Sequence, residues 1–389
     1  MNTTTKLRGQ ATAAVTGLLA VLSLLASLAL STTPAAAQEG RVKAWGINNN
    51  LQLGDTSGSN RLTPATVAGL SDSDIQSLSA GYYHGLALLT NGTVESWGYN
   101  NDGELGVGNR TTYAVPSTVT GLRGVVAVAA GGYHSLALLA DGTVWSWGYN
   151  GYGELGDGTT NNHYTPAQVP NLTGVVAIAA GEYHSLALLA DGTVKAWGRN
   201  TEGQLGDGTN SNHYTPVNVS GLNTVRGIAA GEYHSLARLA DGTVRTWGYN
   251  TSGQLGDGTT TNHNSPVTAI GVTNVRDLAA GNGHSLALLA DGTVMAWGLN
   301  TSGQLGDGTL TNRPLPIVLN GATNVRAIAA GSEHTVILTR DGQTRTTGLN
   351  NYGQLGDGTT TNRSALTDPV SGLSSISLVS AGTNFTLAA

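Results

Sequence analysis

The segment AAGEYHSLALLADGTVKAWGRNTEGQLGDGT (residues 179–209) recurs along this chain about every fifty residues. Its Trp-Gly step stands at Trp45-Gly46, Trp97-Gly98, Trp147-Gly148, Trp197-Gly198, Trp247-Gly248 and Trp297-Gly298, and a seventh copy reads Thr347-Gly348. Its Ala-Gly step begins at Ala80, Ala130, Ala180, Ala230, Ala280 and Ala330, and in degenerate form at Ala381. A unit of this length is one piece of supersecondary structure that cannot bury its apolar face alone. The chain must therefore fold as an array whose neighbours cover one another.

Within one repeat, residues 184–197 read HSLALLADGTVKAW, two strand-like runs around Asp191-Gly192. Asp-Gly is favoured in two-residue hairpin turns, where both positions take positive φ. The same step stands at Asp141-Gly142, Asp241-Gly242, Asp291-Gly292 and Asp341-Gly342, with Asn91-Gly92 as its equivalent. A short apolar run precedes each Ala-Gly step, and a further strand candidate ends near each Pro-x-x-Val. About four short strands per repeat is the content of a propeller blade. The first copy begins at RVKAWG (residues 41–46) without a preceding hairpin strand, and the last stops at AGTNFTLAA (residues 381–389) without a following one. Each supplies what the other lacks. The expected fold is all-β: a seven-bladed β-propeller over residues 38–389, closed by a composite blade drawn from the N- and C-terminal strands, with no exposed edges left by an open stack.

Residues 1–37 read as a signal peptide, with Lys6 and Arg8 before an apolar run at residues 11–30 and Ala35-Ala36-Ala37 placing cleavage after Ala37. Uncleaved, the run is long enough to cross a bilayer. No second such run follows, so the mature chain is expected to be secreted and free of the membrane. Removing Lys6 and Arg8 from 18 basic residues leaves 16 against 24 acidic ones, a net charge of −8. That sign, with no basic cluster, argues against nucleic acid as a partner. Cysteine is absent, which excludes disulfides and a lipidated N-terminal cysteine. Only Lys43 and Lys195 remain as lysines in the mature chain, a bias read as that of a high-G+C bacterial genome.

The combination A-G-x-x-H-S-L-A-L, D-G-x-V-x-x-W-G-x-N and G-Q-L-G-D-G-T closely resembles the repeat of the regulator of chromosome condensation family, over essentially the whole mature chain. The resemblance implies a seven-bladed propeller. In eukaryotes the family includes a nuclear exchange factor that acts on a small GTPase through one face of the ring. An exported, acidic chain without a nuclear-localisation run does not suit that activity. The chain is more distantly similar to the secreted propeller-type β-lactamase inhibitor, which lacks the regular Leu-Gly-Asp-Gly-Thr turn.

Because the chain reverses at Asp-Gly, the loop before His184 and the loop after Gly198 lie at the same end of a blade. Seven copies of both loops therefore ring one face. The pair after Ala-Gly reads Tyr82-Tyr83, Gly132-Tyr133, Glu182-Tyr183, Glu232-Tyr233, Asn282-Gly283, Ser332-Glu333 and Thr383-Asn384. The residue after Trp-Gly reads Ile47, Tyr99, Tyr149, Arg199, Tyr249, Leu299 and Leu349. Tyrosines crowd the first four units and vanish from the last three. Rigid amphipathic rings interleaved with Glu182, Glu232 and Arg199 suit a protein-binding surface. Tyrosines could also simply cap the blade ends, but their asymmetry favours a partner. The expected function is non-enzymatic: a secreted, monomeric propeller that binds another protein, such as an exported enzyme it inhibits or scaffolds. A carbohydrate- or cell-wall-binding module is the alternative, since tyrosines also stack on sugars. Guanine-nucleotide exchange on a small GTPase stands third.

The regular residues read as scaffold. His84, His134, His184, His234, His284 and His334 recur once per repeat, and Phe385 takes the seventh place. A ligand or base is not needed six times, and Phe could not replace it, so each is expected to pack and hydrogen-bond inside its own blade. A second series comprises Arg61, Tyr113, His163, His213, His263, Arg313 and Arg363. Its spacing on separate blades, without Cys or carboxylate at ligand spacing, speaks against a metal site. Asp157, Asp207, Asp257, Asp307 and Asp357 each offer one carboxylate where calcium needs several converging oxygens. They are expected to close their own turns. No catalytic or cofactor-binding motif is recognisable.

Overall fold

Val175–Ala180, His184–Leu189, Val194–Gly198 and His213–Asn218 show how one repeat becomes a blade: they pair antiparallel in chain order as a four-stranded sheet. The computed structural model describes residues 42–70 and 75–389, so the leader read in residues 1–37 lies outside the described residues. All regular elements among the described residues are strands.

The hairpin turn is not the two-residue type expected. Ala190, Asp191 and Gly192 form a three-residue loop in which Gly192 N–H donates to Leu189 O at 3.0 Å and Gly192 alone takes positive φ, 85°. A turn followed by one left-handed residue is the next most favoured hairpin solution. Asp191 contributes its carboxylate, which accepts from the Thr193 N–H at 2.9 Å and hydroxyl at 2.7 Å. The Asp is selected as an acceptor for the residue two places on, not for a left-handed backbone.

At Trp197-Gly198 the third strand breaks register with the fourth, between the Ala196–Val217 and Gly198–His213 pairs. Gly198 holds φ at 105°, and a Cβ there would lie 2.5 Å from the Tyr183 carbonyl oxygen, so only glycine fits. The irregularity turns Trp197 into the joint with the preceding blade, where it is fully buried and its Nε1–H donates to Glu154 O at 2.7 Å.

Seven such sheets close into a propeller. Blade one is composite, as expected: Val379–Ala381 and Phe385–Ala388 join Lys43–Gly46 and Arg61–Thr66, with Lys43 opposite Ala388 and Gly46 opposite Phe385. Blades two to six begin at Ile75, Val125, Val175, Val225 and Val275. Blade seven, Val325–Ala330, His334–Thr339 and Thr344–Gly348, has three strands instead of the expected four. Its outer segment touches the third strand through the Gly348–Arg363 bridge and the Thr367 N–H to Thr346 O bond, 2.8 Å. Pro369 then follows in this repeat alone at that position, and a residue without an N–H cannot extend a ladder. The first strands of neighbouring blades contact one another all the way round, so they line the axis.

The apolar core lies between blades. Leu186, Leu188 and Val194 of blade four meet Val225, Ala237 and Trp247 of blade five, and equivalent clusters fill other joints. Burial is thus a property of pairs of repeats, as the period required.

Candidate functional site

The recurrent histidines are fully buried, and they join blades rather than serving their own, which corrects the expectation of a bond inside the blade. His84 Nε2 meets Ser135 Oγ at 3.0 Å, His134 Ser185 at 2.8 Å, His184 Ser235 at 2.9 Å and His234 Ser285 at 2.8 Å. His284 and His334 reach Thr335 and Thr386 in the same way, at 3.1 and 3.0 Å. Each serine's single proton is already committed: Ser135 Oγ donates to Glu104 O at 2.8 Å, and Trp147 Nε1–H donates to the same carbonyl at 2.8 Å. The imidazole must therefore donate through Nε2–H, which fixes its tautomer. At the seventh joint the donor and the acceptor are lost together, since Phe385 stands for His and Gly85 for Ser; Phe385 packs with Ala87 and Trp97.

The Asp turns and the second series prove to be one device. Asp207 Oδ1 accepts from Thr209 N–H at 3.0 Å and Asn200 Nδ2 at 3.1 Å, and Oδ2 meets His213 Nε2 at 2.8 Å. Asp157 pairs with His163 and Asp257 with His263 at 3.0 Å, while Asp55, Asp307 and Asp357 pair with Arg61, Arg313 and Arg363. The one repeat with Val107 in place of Asp also has Tyr113 in place of the cation, and Asn109 Nδ2 donates to the Tyr113 hydroxyl at 3.0 Å. Every carboxylate of the series is thus occupied within its own loop. Among the described residues no three His, Asp or Glu side chains converge in metal-binding geometry.

The drifting loop residues come together. Tyr82, Tyr83, Tyr99, Tyr133, Tyr149, Tyr183, Tyr233 and Tyr249 form one continuous aromatic surface across blades two to five. Tyr133 stacks on Tyr183 with centroids 5.6 Å apart and planes at 18°, and Tyr183 on Tyr233 at 6.5 Å and 24°. Tyr82 meets Tyr133 edge-on at 5.7 Å, Tyr83 meets Tyr99 at 6.1 Å, Tyr149 meets Tyr183 at 6.1 Å and Tyr233 meets Tyr249 at 6.3 Å. Tyr152, which lies outside both loop series and was not singled out, completes the belt at 5.3 Å from Tyr183. Its signal was a residue three places past Arg199's equivalent, on a turn read only as scaffold. Arg199 lies over the rings of Tyr233 at 4.9 Å, Tyr152 at 5.6 Å and Tyr183 at 5.9 Å, within the range of cation–π attraction. The rings are half-buried against one another. Partial burial pushes the Tyr133 hydroxyl up to about 12, so this ring is neutral and its hydroxyl remains a donor.

Glu182 and Glu232 sit differently from a solvent-facing rim. With Tyr82 they stand at the mouth of the axial channel, in the loops that end the innermost strands, around a small open depression. Glu182 is buried, at 7 % exposure, and the two carboxyls face each other. Desolvation first, then the neighbouring Glu182, raises Glu232 to about 8, while the hydroxyls of Tyr82 and Tyr233 lie against it. Like charges in a half-dry site repel each other, which is the second cause of the upward shift at Glu232.

Comparison with known proteins gives the family. A model of the RCC1-like domain matches residues 24–271, and one of the regulator of chromosome condensation (RCC1) repeat matches residues 291–338 and 341–389. Among curated relatives, the ultraviolet-B receptor UVR8 of Arabidopsis thaliana is 36 % identical over 90 residues, 23 % of this chain and 20 % of the relative. Human protein RCC2 is 42 % identical over 79 residues, 20 % of this chain and 15 % of the relative. The matched stretch thus spans a fifth or less of those relatives. Among solved structures, Prp20p of Saccharomyces cerevisiae, described together with its binding to Gsp1p and histones, superposes with a TM-score of 0.80 at 26 % identity over 91 % of this chain and 92 % of that one. Human WBSCR16 gives 0.79 at 26 % identity over 90 % and 99 %.

Proposed function

From a chain that belongs to the regulator of chromosome condensation (RCC1) repeat family, we propose a non-catalytic protein-binding propeller that holds its partner on the tyrosine belt of blades two to five. The observation that carries the reading is the confinement of the belt to one side of one face. If tyrosine merely capped blade ends, all seven blades would need it. Stacked tyrosines present large contact area with few rotamers left to freeze, which suits a recognition surface. That Prp20p is described as binding proteins supports the reading without identifying a partner here. We further propose that the protein acts outside the cytoplasm after cleavage at Ala37, where an exported enzyme would be within reach for inhibition or scaffolding.

The leader is tested by N-terminal sequencing of protein recovered from culture fluid, which should begin at Gln38. A sequence beginning at Met1 would contradict it. The face is tested by capture from culture fluid and envelope extracts on the immobilised protein, beside a Tyr133→Ala, Tyr183→Ala, Tyr233→Ala triple variant. Interface tyrosines are typically worth roughly 1–2 kcal/mol each, so the triple should weaken the captured protein at least a hundredfold. Capture unaffected by the triple sinks the assignment of the face. Retention on insoluble polysaccharide alone would replace the protein partner by a carbohydrate.

A further inference from the structure

The centre of the face holds a feature the tyrosine belt alone does not account for. Glu182 Oε2 and Glu232 Oε2 are buried acceptors with no hydrogen-bond partner among the described residues, and Glu182 is more than nine-tenths buried. Unpaired acceptors of this kind cost stability in an isolated ring, so a group that satisfies them has something to gain. Both line the depression at the channel mouth. Tyr82 lines the depression with them, and the hydroxyls of Tyr183 and Tyr233 lie against the carboxyls. Two of these rings already hold a guanidinium, that of Arg199. Arg199 follows the third strand of its blade, whereas Glu182 follows the first, so the carboxyls lie nearer the axis and Arg199 does not reach them through any hydrogen bond or ion pair in the structure.

We infer that the axial mouth is a subsite for a basic side chain of the protein partner, an arginine or lysine that enters along the channel axis and pairs with Glu182 and Glu232 between the rings of Tyr82, Tyr183 and Tyr233. The inference rests on the protein-binding reading of this face. Charge, donor count and shape all point the same way. A guanidinium or ammonium supplies donors for both orphaned oxygens, relieves the repulsion between the two carboxyls, and meets ring faces that attract cations. A metal ion would need further carboxylate or histidine ligands, and among the described residues no third one joins the pair. The remaining residues at this ring of positions, Gly132, Asn282, Ser332 and Thr383, carry no charge, so the acidic pair alone sets the sign of the subsite.

The test uses the purified protein and two uncharged-backbone probes, N-acetyl-arginine amide and N-acetyl-citrulline amide, which have the same shape and differ in charge. In calorimetric titration the arginine probe should bind saturably and the citrulline probe at least tenfold more weakly. A Glu182→Gln, Glu232→Gln double variant, checked for an unchanged circular dichroism spectrum, should weaken the arginine probe at least tenfold. Single variants give a second measure should the double variant fold poorly. Equal binding of the two probes, no binding of either, or unchanged binding to the folded Gln variants overturns the subsite. The two readings fail separately. Capture lost in the tyrosine triple but untouched in the Gln variants keeps the face and removes the cation subsite. Capture untouched in the triple removes the face, and with it the partner from which the basic side chain would come.

Discussion

Acidified from pH 6.5 towards pH 4.5, the ring should lose stability steeply and unfold cooperatively before the lower limit is reached. Burial holds His84, His134, His184, His234 and His334 down to about 3 and His284 to about 4. In the unfolded chain an imidazole takes its proton near pH 6.5. Below that pH the unfolded state therefore binds up to six more protons than the ring, and stability falls as pH falls. Glu104, Glu154 and Glu232 oppose this. Burial raises all three to about 8, so between their unfolded value near 4.3 and pH 8 the ring holds three protons that the unfolded chain has released. Their contribution is present at low pH and is lost as pH rises through 8. Six against three leaves three protons, or roughly 4 kcal/mol per pH unit on the acid side, set against a total of about 5–15 kcal/mol for an ordinary domain. Above pH 6.5 the carboxyls alone act, and stability declines more gently. Melting temperature across pH 4–9 should thus peak near pH 6.5. A Glu104→Gln, Glu154→Gln variant, which installs the residue found at Gln52, Gln204, Gln254, Gln304 and Gln354, should make the alkaline limb shallower and the acid limb steeper. A flat profile between pH 5 and 6.5 would contradict the buried neutral imidazoles.

Deleting residues 42–46 should abolish cooperative folding altogether. The deletion takes Val42, Ala44 and Trp45 out of the core, all at 0 % exposure. It also removes an interior strand of blade one, leaving Phe385–Ala388 and Arg61–Thr66 without the strand that joins them. Every other blade is held by covalent succession; this one is held only by its ladder and its packing. Trp45→Ala is the graded version. A fully buried Trp replaced by Ala costs about 3–5 kcal/mol, and here the bond from Nε1–H to Gln354 O at 2.9 Å goes with it. For a chain of this size that corresponds to a fall of roughly 5 °C in melting temperature. A deletion variant that melts cooperatively at the temperature of the intact protein would show that the composite blade does not hold the ring.

The architecture was legible because it is written in a period. Seven copies with four strand candidates each, and two ends that complete one another, leave little choice but a closed propeller. The errors were local and came from reading positions singly. Asp-Gly suggested a two-residue turn because both residues tolerate positive φ, yet Thr193, two places past the Asp, selects the three-residue loop by giving that carboxylate two donors. The histidine was assigned to its own blade because a sequence shows a strand and not its neighbour; the partner lies 51 residues on. The joint appearance of Val107 and Tyr113 in place of the Asp and its cation was visible in the sequence and was the signal that Asp and the second series form pairs. For the face, the hairpin geometry placed the tyrosines at one end, but it could not rank them by radius. Glu182 and Tyr183 are adjacent in the chain, and only the position of the innermost strand puts the carboxyl at the axis and the ring outside it.

The joint between Phe385 and Gly85 gives the disc a place to yield. Parting any other joint breaks an imidazole–hydroxyl bond while both groups are still shielded from water, and the cost rises before solvent can enter. Parting this one separates the Phe385 ring from Ala87 and Trp97 and breaks the Trp97 Nε1–H to Gln52 O bond, but no imidazole–hydroxyl pair. It is also not where the chain ends meet, since those are zipped together inside blade one. Covalent discontinuity and mechanical weakness are therefore offset by one blade interface: a spreading force on the face would open the disc along a fixed radius next to Tyr82, at the edge of the belt, and leave the terminal zipper closed.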